Sequence, residues 1–162
     1  MKVVMAFDPH QTERPRDAKA LLPRETDRSL PIALLKAREA VMAHFRPMLK
    51  SHGITEQQWR VIRVIAEAGT LDASEVVDRA CILAPSLTRI IRSLEERSLI
   101  TRHKDAQDGR RFLLELTPAG QDFIAAVSPD SRRIYQMIET SFGQERLDAL
   151  LSELDALAAL KD

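Results

Sequence analysis

A mainly α fold, broken once by a β-hairpin, is predicted by three observations on the sequence. Apolar residues recur three and four apart through successive stretches, most of them opened by a capping residue or a proline. Two short runs with strand character, LITRHK and RFLLEL, flank the polar stretch DAQDGR. With 162 residues, 44% hydrophobic but only 4% aromatic, the chain can bury one core of ordinary size, built mainly from Leu, Ile, Val and Ala.

Charge and cysteine content narrow the function classes. The 24 basic and 24 acidic residues cancel, which excludes a chain that coats nucleic acid or anionic lipid through bulk charge, so any electrostatic function is local. No apolar run approaches the roughly 20 residues that span a bilayer. The opening MKVVMAFDPHQ turns polar too early for a secretory signal, and the expectation is a cytoplasmic protein with no membrane partner. A single cysteine, Cys81, cannot form an internal disulfide, in keeping with a reducing compartment.

The elements are taken in chain order. Residues 1–28 hold Pro9, Pro15 and Pro23 among charges without helical period and read as a flexible N-terminal arm; the folded part is expected over 29–162. From Leu30 to about Lys50, Leu34, Val41, Phe45 and Met48 recur at helical spacing, with Pro47 expected to kink the helix or interrupt its last turn and Gly53 ending it. TEQQWRVIRVIAEAG opens with a capping box, Thr55 with Gln58, and closes at Gly69. DASEVVDRA repeats the device with Asp72 and Glu75 and gives a short third helix. A fourth helix starts at Pro85, since proline suits a first position whose N–H has no partner.

At 100° per residue, Leu87, Ile90, Ile91 and Leu94 gather on one side of the fourth helix. Pro85, Arg89, Arg92 and Glu96 point away, with Ser86 and Thr88 on the flanks. The two strands come next, joined by an Asp-Gly that suits a tight turn. Helix, helix and two-stranded hairpin is the order of a winged helix-turn-helix. Helix restarts at TPAG with Thr117 as cap and Pro118 at the first position, and Pro129 is expected to bend or divide this last helical region. In QERLDALLSELDALAAL, Leu147, Leu150, Leu151, Leu154 and Leu157 form a stripe on an otherwise acidic helix, a surface suited to another helix. The apolar first helix needs cover as well, so the two chain ends are expected to build a homodimer.

The stretch PSLTRIIRSLEERSLITRHKDAQDGRRFLLELTPAG, residues 85–120, resembles the recognition helix, wing and following cap of MarR-type transcriptional regulators. Several elements occur in the family's order: Ser and Thr-Arg early in the helix, Leu-Glu near its end, Asp-x-Arg in the wing, then Leu-Thr-x-x-Gly. The resemblance runs from about Ser29 to the end. More narrowly, ALLKAREAVMAHFRPMLKSHGITEQQWRVIR and RACILAPSLT are similar to the subgroup that regulates homoprotocatechuate (4-hydroxyphenylacetate) degradation operons.

This resemblance implies a DNA-binding lobe over about 55–117 and dimerisation helices over 29–53 and 118–162. It implies a double-stranded DNA operator as partner, a small aromatic carboxylate as effector, and no cofactor. The fourth helix would lie in the major groove, with Ser86, Thr88, Arg89 and Arg92 at base edges or backbone. Arg110, matching the Arg of Asp-x-Arg, would enter the minor groove, with Asp108 bracing it. Arg102, Lys104 and Arg111 would neutralise phosphates. The family places effectors between the dimerisation helices and the DNA-binding lobe. Arg38 is therefore either a surface charge or the partner of a ligand carboxylate, and Trp59 either core filling or a pocket wall.

Blander readings hold elsewhere. Cys81 sits in the apolar ACILA, has no basic neighbour in sequence to lower its pKa, and is expected to be a buried, inert thiol. His10, His44, His52 and His103 are scattered without metal-ligand spacing, so no metal site is expected. No nucleophile lies at useful spacing from a base, and there is neither a catalytic carboxylate pair nor a phosphate-cradling glycine loop, so no enzyme activity is expected. Two readings stay open: a repressor released by a small aromatic acid, and an effector-independent DNA-binding or partner-binding winged-helix module.

Overall fold

A computed structural model describes Thr26 and residues 29–160; apart from Thr26, the expected N-terminal arm lies outside the described residues. Helix α1 (Leu30–Ser51) runs on through Pro47, so the proline does not interrupt its last turn. Phe45, Met48 and Leu49, packed into the core on either side of Pro47, hold the turn together despite the missing N–H. The described residues fall into two compact units that change within α1, one ending at Val41 and the other beginning at Met42. Gly53, at φ 62°, ends the segment with a backbone that only glycine adopts cheaply.

Helix α2 (Glu56–Ala68) has the expected capping box: Gln58 N–H donates to Thr55 Oγ1 at 3.2 Å, and Thr55 N–H donates to Gln58 Oε1 at 3.0 Å. Helix α3 (Ala73–Ala80) repeats it, with both Asp72–Glu75 bonds at 2.9 Å. Between them lies a strand that the sequence does not announce, β1 (Thr70–Asp72), three residues long. Helix α4 (Ala84–Glu96) starts one residue before Pro85, which falls in its first turn.

The hairpin strands β2 (Ile100–Lys104) and β3 (Phe112–Leu116) pair antiparallel with Ile100 opposite Leu116 and Arg102 opposite Leu114. Strand β1 adds to the other edge of β3, with Leu71 opposite Leu114, so the sheet has three strands in the order β1-β3-β2. The third strand fastens the wing to the body, because Leu71 and Leu114 are both fully buried.

Helix α5 (Pro118–Phe142) is one continuous helix with Pro129 inside it, neither divided nor ended there. Val127 and Ser131, buried on either side of the proline, keep the chain against the core, which outweighs the lost backbone bond. Its start is close-packed: a Cβ on Gly120 would collide with the Leu99 carbonyl, the same oxygen that accepts from Thr117 N–H at 3.1 Å. Gly143, at φ 97°, turns the chain into α6 (Gln144–Ala158), none of whose residues is buried. The core brings together Val61, Ile62 and Ile65 of α2, Val76 of α3, Leu94 of α4 and the Leu71–Leu114 pair. Each such side chain contributes about 1.5–3 kcal/mol by leaving water.

Candidate nucleic-acid interface

Helix α4 is fixed by its inner face. Leu87, Ile90, Ile91 and Leu94 are buried, which by helical geometry turns Thr88, Arg89 and Arg92 into solvent and leaves Ser86 half-buried. Three hydrogen bonds from α2 set its position further. The Gln58 side-chain amide donates to Ser93 Oγ at 2.9 Å, so the α2 capping box also touches α4. Arg60 Nη1 donates to the carbonyls of Ala80 and Cys81, at 2.8 and 3.0 Å, and holds the turn from α3 into α4.

The wing tip, residues 105–111, is ordered by its aspartates. Asp105 N–H donates to the Arg111 carbonyl at 3.0 Å, Arg111 N–H to the Asp108 carbonyl at 2.9 Å, and Arg110 N–H to Asp108 Oδ1 at 3.1 Å. Asp108 thus shapes the turn that presents Arg110, whose side chain is 95% exposed with Nε 3.6 Å from Asp108 Oδ1.

Two other wing cations, Arg111 and Arg102, have partners inside the protein. Arg111 is ion-paired through Nη2 with Asp72, the N-cap of α3, and this contact holds its guanidinium above its ordinary pKa. The Asp72 carboxyl is held below its usual range, first by the Glu75 backbone N–H; burial opposes this, and Arg111 adds to it. Arg102 Nε lies 3.4 Å from Glu95 Oε1, and its guanidinium stacks 5.5 Å from the Phe112 ring centroid. Lys104 is exposed on β2.

A groove of about 460 Å³ separates α4 from the wing, lined by Thr88 and Arg92 on one side and Arg102, Arg110 and Arg111 on the other. Five of the nine residues expected at the interface therefore share one groove, over a floor that includes Ile91 and Leu114. Ser86, Arg89, Lys104 and Asp108 lie outside its lining. Four arginines and two carboxylates, Asp72 and Glu95, line this one concave surface of a chain with no net charge.

A second cavity, of about 280 Å³, lies between α2 and α5. Trp59, Arg63, Ser131, Arg132 and Tyr135 are among its walls. Trp59 is a buried core residue that also lines this cavity. Arg63 donates from Nη1 to the Tyr135 hydroxyl at 3.0 Å and from Nη2 to Glu67 at 3.0 Å. Burial opposes the charge on Arg63, but Tyr135 and Glu67 outweigh it and raise its pKa. Phe45 meets Tyr135 edge-on at 5.2 Å. Arg63 and Tyr135 escaped the sequence reading. Arg63 could have been found, since it lies one helical turn after Trp59 in WRVIR, whereas Tyr135 is brought in by the packing of α5. Arg38 is exposed on α1, with Nη1 2.8 Å from Glu39 Oε1.

Cys81 corrects the expectation of a buried thiol. It is exposed, because it caps α3 in the left-handed conformation, φ 50° and ψ 54°, which turns its side chain outward while its neighbours Ala80 and Ile82 point into the core. Among the described residues, no three His, Cys, Asp or Glu side chains are grouped to hold a metal, and no helix is long and apolar enough to cross a membrane.

Comparison with known proteins agrees with this geometry. The MarR family profile matches residues 54–112, from the start of α2 to the wing. The HTH-type transcriptional regulator FarR of Neisseria gonorrhoeae is 42% identical over 83% of this chain and 92% of its own. The homoprotocatechuate degradative operon repressor of Escherichia coli is 42% identical over 82% of this chain and 89% of its own. The crystal structure of NadR in complex with 4-hydroxyphenylacetate superposes with a TM-score of 0.77 at 40% identity, covering 86% of this chain and all of that one. Identity at this level over most of both chains leaves one conclusion: the chain belongs to the MarR family of winged helix-turn-helix transcriptional regulators, which act by binding DNA and are not enzymes.

Proposed function

We propose that the chain is a homodimeric repressor of an aromatic-acid catabolic operon, released from its operator by a small aromatic carboxylate of the hydroxyphenylacetate type. The observation that carries this reading is the cavity between α2 and α5. Its roughly 280 Å³ lies just below the usual span of ligand sites, about 300–1,000 Å³, and suits nothing larger than one substituted ring. Trp59 and Tyr135 offer aromatic walls, and Arg63 offers a planar cation for the carboxylate. The similarity to a homoprotocatechuate operon repressor and to NadR, which was crystallised with 4-hydroxyphenylacetate, supports the same ligand class.

Helix α2 links this cavity to DNA. One face of α2 carries Trp59 and Arg63, while Gln58 and Arg60 hold α4 and the turn before it. In a two-fold dimer both recognition helices must meet successive major grooves about 34 Å apart, so a small shift of α2 on ligand binding is enough to spoil the spacing. Residues 55–117 form the DNA-binding lobe in this reading, with dimerisation through 29–53 and 118–162. The exposed Leu30, Leu34 and Leu35 of α1 and Leu150 and Leu151 of α6 are apolar surfaces that a partner chain would cover. Ser86, Thr88, Arg89 and Arg92 face the major groove, Arg110 the minor groove, and Lys104 a phosphate. Of Arg38 and Arg63, Arg63 is a wall of the cavity described, which Arg132 also lines.

The test is a gel-shift titration on the DNA upstream of the protein's own gene, with and without 4-hydroxyphenylacetate. Loss of the complex as the acid is added is the expected result. A complex indifferent to hydroxyphenylacetates would leave a DNA-binding module without this effector.

A further inference from the structure

The cavity between α2 and α5 holds a polar group that the fold does not use. Ser131, on α5, is 8% exposed and is the one buried polar side chain among the described residues. Ser128, three residues earlier, donates its hydroxyl to the Ile124 carbonyl at 2.7 Å, whereas among the described residues no hydrogen bond engages the Ser131 hydroxyl. Nor is the Ser131 oxygen sealed away. Among the described residues Arg60 Nε is the one unpartnered side-chain polar atom closed off from solvent, so what access Ser131 Oγ retains is to the cavity it lines.

A hydroxyl at this depth costs free energy until something hydrogen-bonds to it. The other polar walls lie further out: Arg63 is half-buried, and Glu67, Arg132 and Tyr135 are exposed. A ligand carboxylate therefore belongs at Arg63, the cation already held against the Tyr135 hydroxyl. Ser131 stands four residues before Tyr135 on the same face of α5, one helical turn or about 5.4 Å along the axis. With the carboxylate at Arg63 and the ring among Trp59, Ala66 and Ile124, a ring substituent is what reaches Ser131. A second carboxylate there would be buried beyond the cations, and a hydrocarbon would leave the serine unpaired. A ring hydroxyl, which donates and accepts as serine does, satisfies both groups.

We propose that Ser131 is a specificity-determining residue that hydrogen-bonds a ring hydroxyl of the effector, so that the cavity selects hydroxylated aryl acids over unsubstituted ones. The inference rests on the reading of this cavity as the effector site and adds which end of the acid Ser131 recognises.

The test is calorimetric titration of the full chain and of Ser131→Ala with phenylacetate, 3-hydroxyphenylacetate and 4-hydroxyphenylacetate. The wild type is expected to bind at least one hydroxylated acid about fivefold more tightly than phenylacetate, the effect of one neutral hydrogen bond. Ser131→Ala should lose that preference, keep its affinity for phenylacetate, and keep the wild-type melting temperature, because no bond within the fold is lost. The isomer whose advantage disappears places the hydroxyl at the meta or the para position. If Ser131→Ala weakens phenylacetate as much as the hydroxylated acids, or retains the wild-type preference, Ser131 does not read the ring hydroxyl. Equal binding of all three acids by the wild type also overturns its role, and in each of these cases the cavity remains an effector site. If the wild type binds none of the three, the effector reading itself falls, and the role of Ser131 with it.

Discussion

The Arg111 guanidinium at the base of the wing is ion-paired with Asp72, the residue that caps α3. One carboxylate therefore holds two elements: its Oδ1 accepts the Glu75 N–H, and its Oδ2 holds the wing. The Asp72 pKa is lowered in the folded state, so its contribution to stability is fully present above the unfolded value, near 3.9, and is lost as pH falls through the folded value. Asp72→Ala should destabilise the fold by about 1 kcal/mol at neutral pH through loss of the cap. The gap in melting temperature between wild type and variant should close as pH falls below about 4. A gap that persists unchanged at low pH would mean that the charge on Asp72 contributes nothing.

Arg110→Ala should weaken operator binding by about 1–3 kcal/mol, as for a specific groove contact. The melting temperature should not change, because Asp108, 3.6 Å from Arg110 Nε, still accepts the backbone N–H at position 110. Equal affinity of wild type and variant for the upstream duplex would remove Arg110 from the interface.

For the effector, calorimetric titration with 4-hydroxyphenylacetate should show Arg63→Ala losing most of its affinity, and Tyr135→Phe losing less. Arg38→Ala is the control that separates the two cations. If Arg38→Ala abolishes binding and Arg63→Ala does not, the acid is held elsewhere than between α2 and α5. Linkage requires reciprocity: operator DNA must weaken acid binding by the same factor by which the acid weakens DNA binding, typically about 1–3 kcal/mol.

The dimer is tested by charge. Leu150→Asp together with Leu151→Asp places two carboxylates on the exposed side of α6, whose leucines are not buried in the single chain. Sedimentation should show the wild type as a dimer at micromolar concentration and the double variant as a folded monomer. A wild type that sediments as a monomer refutes the homodimer outright.

Local chemistry was the legible part of this chain. Both capping boxes, the core face of α4 and the two wing strands depend on residues within a few positions of one another, and all stand as read. Strand β1 was hidden because three residues cannot display an alternation, and its partners lie more than forty residues away, Thr70 against Glu115. Pro129 does not divide α5 because a proline signal is local while the packing of Val127 and Ser131 is not. Cys81 misled for the opposite reason: apolar neighbours suggested burial, and one left-handed residue reversed the direction of its side chain. At the candidate sites, the outward arginines of α4 and the wing were visible in the pattern. The Arg63–Tyr135 contact joins residues 72 apart and needed the fold.

The carboxylates beside the groove arginines bear on how the protein finds its target among millions of competing sites. Of the four arginines lining the groove, Arg102 lies near Glu95, Arg110 near Asp108 and Arg111 is paired with Asp72. Each phosphate neutralised by a basic side chain displaces condensed counterions, and this sequence-independent gain dominates attachment to arbitrary chromosomal DNA. An arginine that must first leave a carboxylate returns little of that gain. The protein is therefore expected to hold random duplex loosely, with an affinity that falls less steeply with salt than the number of its arginines implies and a larger share of its hold on the operator coming from shape and base edges.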